Sequence, residues 1–184
     1  RLHRDGLILR DDTGAQSFEL GVSAFPLLQL WRTNRPKALA FLEWMQASRL
    51  TMARAFGMLD GSLPWMQGAL IPDGTWGDDL VSLAQEMAPR GQRLKLSLFA
   101  CCRADQSAAL HVIDQPQFFG RTADVLAPFA HVILDGGNEA EFNGWDPAPL
   151  PRPTWPLASR GSFGTDVRPP GAPFDTFDLH ARRD

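Results

Sequence analysis

The stretch His131-Val132-Ile133-Leu134-Asp135-Gly136-Gly137-Asn138-Glu139 decides how this chain is read. Its first half is an apolar run of strand length, the pattern of a strand buried on both faces, and it stops at paired glycines. An amide and a carboxylate then follow side by side. Parallel α/β sheets carry their chemistry at the carboxyl ends of the strands, so Asn138 and Glu139 stand where a functional pair is expected. Two further features would complete the pattern: more strands in parallel register, and a second carboxylate to work with Glu139.

Outward from this strand, the chain alternates strands and helices. Arg93 to Ala100 (RLKLSLFA) alternates in hydropathy and predicts the preceding strand. Gln115 to Leu126 predicts the helix between the two, with Arg121 and Asp124 on its outer side. Upstream, Arg49 to Phe56 (RLTMARAF) predicts another strand, and Asp78 to Ala88 a helix ended by Pro89 and Gly91. Gly57 to Trp76 lies between them, rich in Gly, Pro, Met and Trp, and its length marks a functional loop rather than a simple connection. Pro36 opens a helix to about Ser48, with Leu39, Leu42, Met45 and Gln46 at helical spacing. Phe18 to Ser23 (FELGVS) reads as the first strand of the series, followed by a loop holding Phe25, Pro26 and Trp31. Ahead of it, Asp5-Gly6 and Asp11-Asp12-Thr13-Gly14 are turn signals around Leu7-Ile8-Leu9, so residues 1–17 are expected to form a β-hairpin. The rhythm is that of βαβ units, and the expected fold class is α/β with a parallel sheet.

Beyond Glu139 the rhythm degrades. Residues 146–173 are crowded with proline and read as irregular, with Leu157 to Ser162 as a short fifth strand. Phe174 to His180 (FDTFDLH) alternates and reads as a sixth. The series stops at Ala181-Arg182-Arg183-Asp184, where a TIM-type (β/α) barrel would be about three-quarters done, since a whole one needs about 250 residues. The 184 residues are long enough for a real core and are expected to form one domain, 1–184.

Bulk composition excludes several classes. The net charge of −3 gives no basic surplus, so nucleic acid is not an expected partner. No apolar run approaches the roughly 20 residues that span a bilayer, so no membrane is expected. The opening Arg1-Leu2-His3-Arg4-Asp5 has no apolar run behind a basic start, which predicts no signal peptide, and the missing initiator Met predicts a processed chain or a piece of a longer one. Cys101 and Cys102 are adjacent, a spacing that rarely meets disulfide geometry, and are expected to be buried thiols. His3, His111, His131 and His180 have no metal-ligand spacing, so no metal is expected, and no cofactor motif is present. Ser162 lacks the nucleophile-elbow motif of a serine hydrolase. Six Trp and no Tyr is an unusual balance. Trp is often core, and exposed Trp is also a common platform for sugar rings.

Three short motifs fall in order along the chain: Gly21-Val22-Ser23-Ala24-Phe25 after the hairpin, Arg54-Ala55-Phe56 ending the second strand of the series, and Gly137-Asn138-Glu139 ending the fourth. In this order and spacing the chain resembles the N-terminal three-quarters of clan A glycoside hydrolases, the cellulase-like TIM barrels, over about residues 5–184. That resemblance implies an incomplete (β/α) barrel acting on a polysaccharide. It also implies that Glu139 is the general acid/base, that Asn138 contacts the sugar 2-hydroxyl, that Arg54 supports the nucleophile, and that His180 matches a substrate contact after the sixth strand. Carbohydrate is the implied partner, and an extracellular or particle-associated location goes with the family. Trp31, Trp65, Trp76 and Trp145 stand in or beside predicted loops, and Trp31, Trp65 and Trp145 are the candidate sugar platforms.

Glycosidic cleavage needs a protonated carboxylic acid at the leaving oxygen and, in a retaining enzyme, a second carboxylate about 5 Å away. Here the chain departs from the family. The family nucleophile is a Glu ending strand seven, and no Glu follows Glu141. Three explanations stay open: a longer protein, a further protein chain completing the barrel, or a non-catalytic carbohydrate-binding or structural barrel in a larger assembly such as a cell surface or phage tail. Plainer readings stay open as well. Glu139 with Glu141 and Asp146 begins a solvated loop, Arg54 is a buried Arg paired with Asp135 or Glu139, and His180 is incidental.

Overall fold

A computed structural model describes residues 2–5, 8–11, 13–16, 19–59, 69–99, 113–137, 150–151, 157–163 and 176–179. Strands β1 (Leu2–Asp5) and β2 (Ile8–Asp11) pair antiparallel as the expected N-terminal hairpin. Six further strands form one parallel sheet in chain order: β3 (Gly21–Ser23), β4 (Met52–Phe56), β5 (Arg93–Phe99), β6 (Val132–Gly137), β7 (Leu157–Phe163) and β8 (Thr176–Leu179). Sequential neighbours in parallel register are the topology of a (β/α) barrel, of which these strands form a part. β7 falls inside the proline-rich segment that the sequence predicts to be largely irregular, and its pairing with β8 shifts register between Ser159 and Ser162.

The helices start where their sequences supply N-terminal partners. α2 (Arg35–Ala47) is capped by Asn34, whose side chain accepts from the Lys37 amide at 3.2 Å, with Pro36 in the first turn. α4 (Gln115–Leu126) is capped by Asp114, which accepts from the Gln117 amide at 3.0 Å, and matches its expected span. α3 (Trp76–Met87) carries Asp78 and Asp79 in its first turn, where the helix dipole favours negative charge. Its two buried rows, Leu80/Leu83/Ala84/Met87, follow the helical period and join the core.

Two boundaries differ from expectation for conformational reasons. The second strand of the series begins at Met52 rather than Arg49, because Arg49 takes the left-handed conformation (φ 57°) that ends α2. The segment expected to be a loop around Pro26 and Trp31 is instead a short helix, α1 (Leu27–Thr33). Leu27, Leu28 and Trp31 lie on one face of it and are buried. A two-turn helix gives too few periods to register as helical in the sequence.

β4, β5 and β6 give the sheet two unlike faces. Ala53 and Ala55, then Leu94, Leu96 and Leu98, then Val132 and Leu134 are one alternate set, all buried in a single core with the helix side chains. The other set holds Arg54 and Phe56, then Arg93, Lys95, Ser97 and Phe99, then Ile133 and Asp135, so its polar groups sit among apolar ones. Lys95, Ser97 and Asp135 are nevertheless buried.

Candidate functional site

The polar face carries one connected group. The Arg54 Nε–H donates to Ser97 Oγ at 2.9 Å, and the Ser97 hydroxyl donates to Asp135 Oδ2 at 2.5 Å. Arg54 Nη2 is 3.7 Å from the same carboxylate oxygen. Ser97 and Asp135 are fully buried and Arg54 is 12% exposed, so a neutral hydroxyl bridges a charge pair in a region with little water. Buried charges persist only when paired and hydrogen-bonded, and this arrangement supplies both.

Strand register explains the geometry. Ser97 and Asp135 are direct neighbours across β5 and β6. Arg54 neighbours Lys95, two residues before Ser97, so its side chain runs diagonally toward the carboxyl end of the sheet to reach the hydroxyl. Beside it at that end, Phe25 and Phe56 stack with centroids 4.2 Å apart, and the guanidinium carbon lies 5.8 and 5.9 Å from the two ring centroids. β6 ends at Gly137, the residue before Asn138 and Glu139. Asn138, Glu139, His180, Trp65 and Trp145 lie outside the described residues, as do Cys101 and Cys102.

Of the candidate contacts, Arg54 stands at the carboxyl end of the sheet, and among the described residues its side chain lies beside the Asp135 carboxylate. Trp31 must be corrected. It is 2% exposed on α1, its indole N–H donates to Ser82 Oγ at 2.8 Å, and Arg35 covers the ring at 3.7 Å. A ring so enclosed offers no face to a sugar, and its place is in the packing of α1 against α3. Trp76 is likewise buried, with its N–H donating to the Gly57 carbonyl at 2.8 Å and its ring beside Phe118. Ser97 was not legible as a site residue, because a lone serine in an alternating strand carries no motif. Its even spacing from Lys95 was the available signal.

The amino-terminal end of the sheet differs. Arg93 pairs there with Glu19 at 2.7 Å. A cavity of about 220 Å³ is lined by Ala88, Gly91, Gln92, Arg93, Ala130 and His131. The His131 ring nitrogen contacts the Ala84 carbonyl at 2.7 Å. Burial pushes the His131 pKa below its usual range, the Ala84 hydrogen bond opposes that, and the Arg93 charge adds to the lowering. Barrel enzymes place their chemistry at the opposite, carboxyl face. Among the described residues no group of three or more His, Cys, Asp or Glu could hold a metal ion, and no helix is long and apolar enough to cross a membrane.

No family model and no curated protein matches the sequence. Solved structures do match its fold. A glycoside hydrolase family 5 protein from Bacteroides vulgatus aligns with a TM-score of 0.64 at 14% identity, over 90% of this chain and 40% of its own. The exo-β-1,4-mannosidase Op5Man5 from an Opitutaceae bacterium aligns with a TM-score of 0.58 at 20% identity, over 80% and 30%. A β-1,4-D-mannanase from Cryptopygus antarcticus aligns with a TM-score of 0.54 at 16% identity, over 76% and 44%. The chain therefore spans less than half the length of each of these proteins. At such identities the likeness is one of fold, and it bears out the resemblance in architecture to cellulase-like barrels: the chain has the fold of part of a TIM-type (β/α) barrel.

Proposed function

We propose that this chain supplies the acid/base half of a glycosidase cleft that cleaves a polysaccharide, with Glu139 as the general acid/base. Asn138 hydrogen-bonds the sugar 2-hydroxyl, Arg54 and His180 support the cleft, and Trp65 and Trp145 are the remaining platform candidates. The observation that carries the reading is the Arg54 group at the carboxyl end of the sheet, beside a strand that ends one residue before Asn138-Glu139. Glu139 stands four residues past Asp135, an even step, at which an extended chain returns to the same face. The match in fold to a mannosidase and a mannanase makes β-1,4-mannan the first substrate to test.

In this reading Glu139 protonates the leaving glycosidic oxygen while a second carboxylate attacks the sugar carbon. Glu139 then takes a proton from the water that releases the sugar. A cation at Arg54 favours the ionised state of carboxylates near it, which suits a nucleophile. Arg54 would thus work on the second carboxylate rather than on Glu139, which must begin protonated.

The test is Glu139→Gln, assayed on β-1,4-mannan and its oligosaccharides. Turnover is expected to fall about 10²- to 10⁴-fold, the usual worth of a general acid, while oligosaccharide affinity stays. Unchanged turnover would remove Glu139 from the role. The same assay separates the alternative, a non-catalytic carbohydrate-binding or structural barrel in a larger assembly. Binding of oligosaccharide without turnover in either form would select it.

A further inference from the structure

We infer that Ser97 and Asp135 are positioning residues for Arg54, locking its guanidinium toward the carboxyl end of the sheet. The inference rests on the glycosidase reading of this cleft and goes beyond it, by assigning two residues on neighbouring strands to the aim of a third. An arginine side chain has several rotatable bonds and loses roughly 2 kcal/mol of rotamer entropy when held still. Three features hold it here. The Nε–H donates to Ser97 Oγ at 2.9 Å, which fixes the plane of the guanidinium. The Ser97 hydroxyl spends its only proton on Asp135 Oδ2, so its lone pairs face Arg54. Asp135 also attracts Nη2 directly, at 3.7 Å.

Burial makes the lock stiff. Ser97 and Asp135 are both 0% exposed, so water does not compete for the hydroxyl or the carboxylate. They are direct register partners across β5 and β6, which are hydrogen-bonded neighbours in the sheet. Phe25 and Phe56, stacked on each other, limit the guanidinium on the β3–β4 side. The hydroxyl adds direction, which a positioned cation requires.

Three variants in the full protein test this: Ser97→Ala, Ser97→Thr and Asp135→Asn. The first readout is the Arg54 Nε–H resonance in ¹⁵N-arginine-labelled protein, identified by its loss in Arg54→Lys. It should exchange slowly with water in the parent and in Ser97→Thr, and be lost to fast exchange in Ser97→Ala. A resonance equally protected in Ser97→Ala overturns the inference, whatever the activity. The second readout is kinetic. Ser97→Ala should lower kcat on β-1,4-mannan roughly 10- to 100-fold with little change in KM, and Ser97→Thr should restore it. Asp135→Asn removes the charge that holds the Ser97 hydroxyl and attracts Nη2, so kcat should fall with little change in KM. Normal kcat in both Ser97→Ala and Asp135→Asn overturns the positioning role and leaves the glycosidase reading standing. If the parent turns over no substrate, the glycosidase reading falls, and the resonance alone decides whether Ser97 and Asp135 aim Arg54.

Discussion

The two faces of the central strands solve the same burial problem in opposite ways. On one face Ala53, Ala55, Leu94, Leu96, Leu98 and Leu134 are buried by removing apolar surface from water, and nearly any well-packed aliphatic set would serve. On the other face Ser97 and Asp135 are buried as deeply, with Lys95 and Arg54 almost so. These groups lose hydration that only specific partners replace. A face built this way gains little stability over an apolar one, so its presence points to a task other than holding the sheet together. The comparison also separates the two ends of the sheet: a bridged Arg54–Ser97–Asp135 group toward the carboxyl end, and a plain Arg93–Glu19 pair at the amino end.

Asp135→Ala should give the largest effect. It removes a buried carboxylate that accepts from the Ser97 hydroxyl and lies 3.7 Å from Arg54 Nη2, at a cost of about 4 kcal/mol in urea unfolding. A loss below about 1 kcal/mol would mean that the polar face is solvated and that the contrast between the faces is false. Leu96→Ala, on the other face, should cost about 3 kcal/mol through lost burial and a residual cavity. Its effect should add to that of Asp135→Ala if the faces are independent, and a coupling beyond about 0.5 kcal/mol would join them.

Gly57→Ala comes next. A β-carbon there would stand 2.9 Å from Leu98 Cδ1 and 3.1 Å from the Leu98 backbone. The crossing of the chain from β4 past β5 would have to open, at a cost of about 2 kcal/mol, and a neutral outcome would show that this end of the sheet gives easily. The smallest effect belongs to His131. Its folded pKa is lowered by burial, so the folded state favours the neutral ring. Stability from this group should be full above the ordinary histidine value and should fall as pH drops through it toward the lower folded value. His131→Asn should flatten melting temperature against pH across that window. An unchanged slope would assign the pH dependence elsewhere.

The sheet was legible in the sequence where alternation or an apolar run had length. RLKLSLFA and HVILDG both became strands within one residue at each end, and Gln115 to Leu126 became α4 with its Asp114 cap. Leu27 to Thr33 was not legible, because a seven-residue helix after a proline shows less than two full periods. Trp31 followed from the same miss: a tryptophan assigned to a loop is a natural platform, while on a helix face beside Leu27 and Leu28 it is core.

What the sequence by itself determined was the order of the strands, the α/β class and the place of Asn138-Glu139 after an apolar strand. Hydrophobic period and turn chemistry are local, and local patterns survive without knowledge of neighbours. What only the tertiary structure decided was which residues meet. Ser97 lies 43 residues from Arg54 and 38 from Asp135 along the chain. Parallel pairing brings the three together by strand register, which no local pattern encodes. The aim of Arg54 is therefore a property of three strands at once, set by which residue of β4 lies opposite which residue of β5, and of β5 opposite β6.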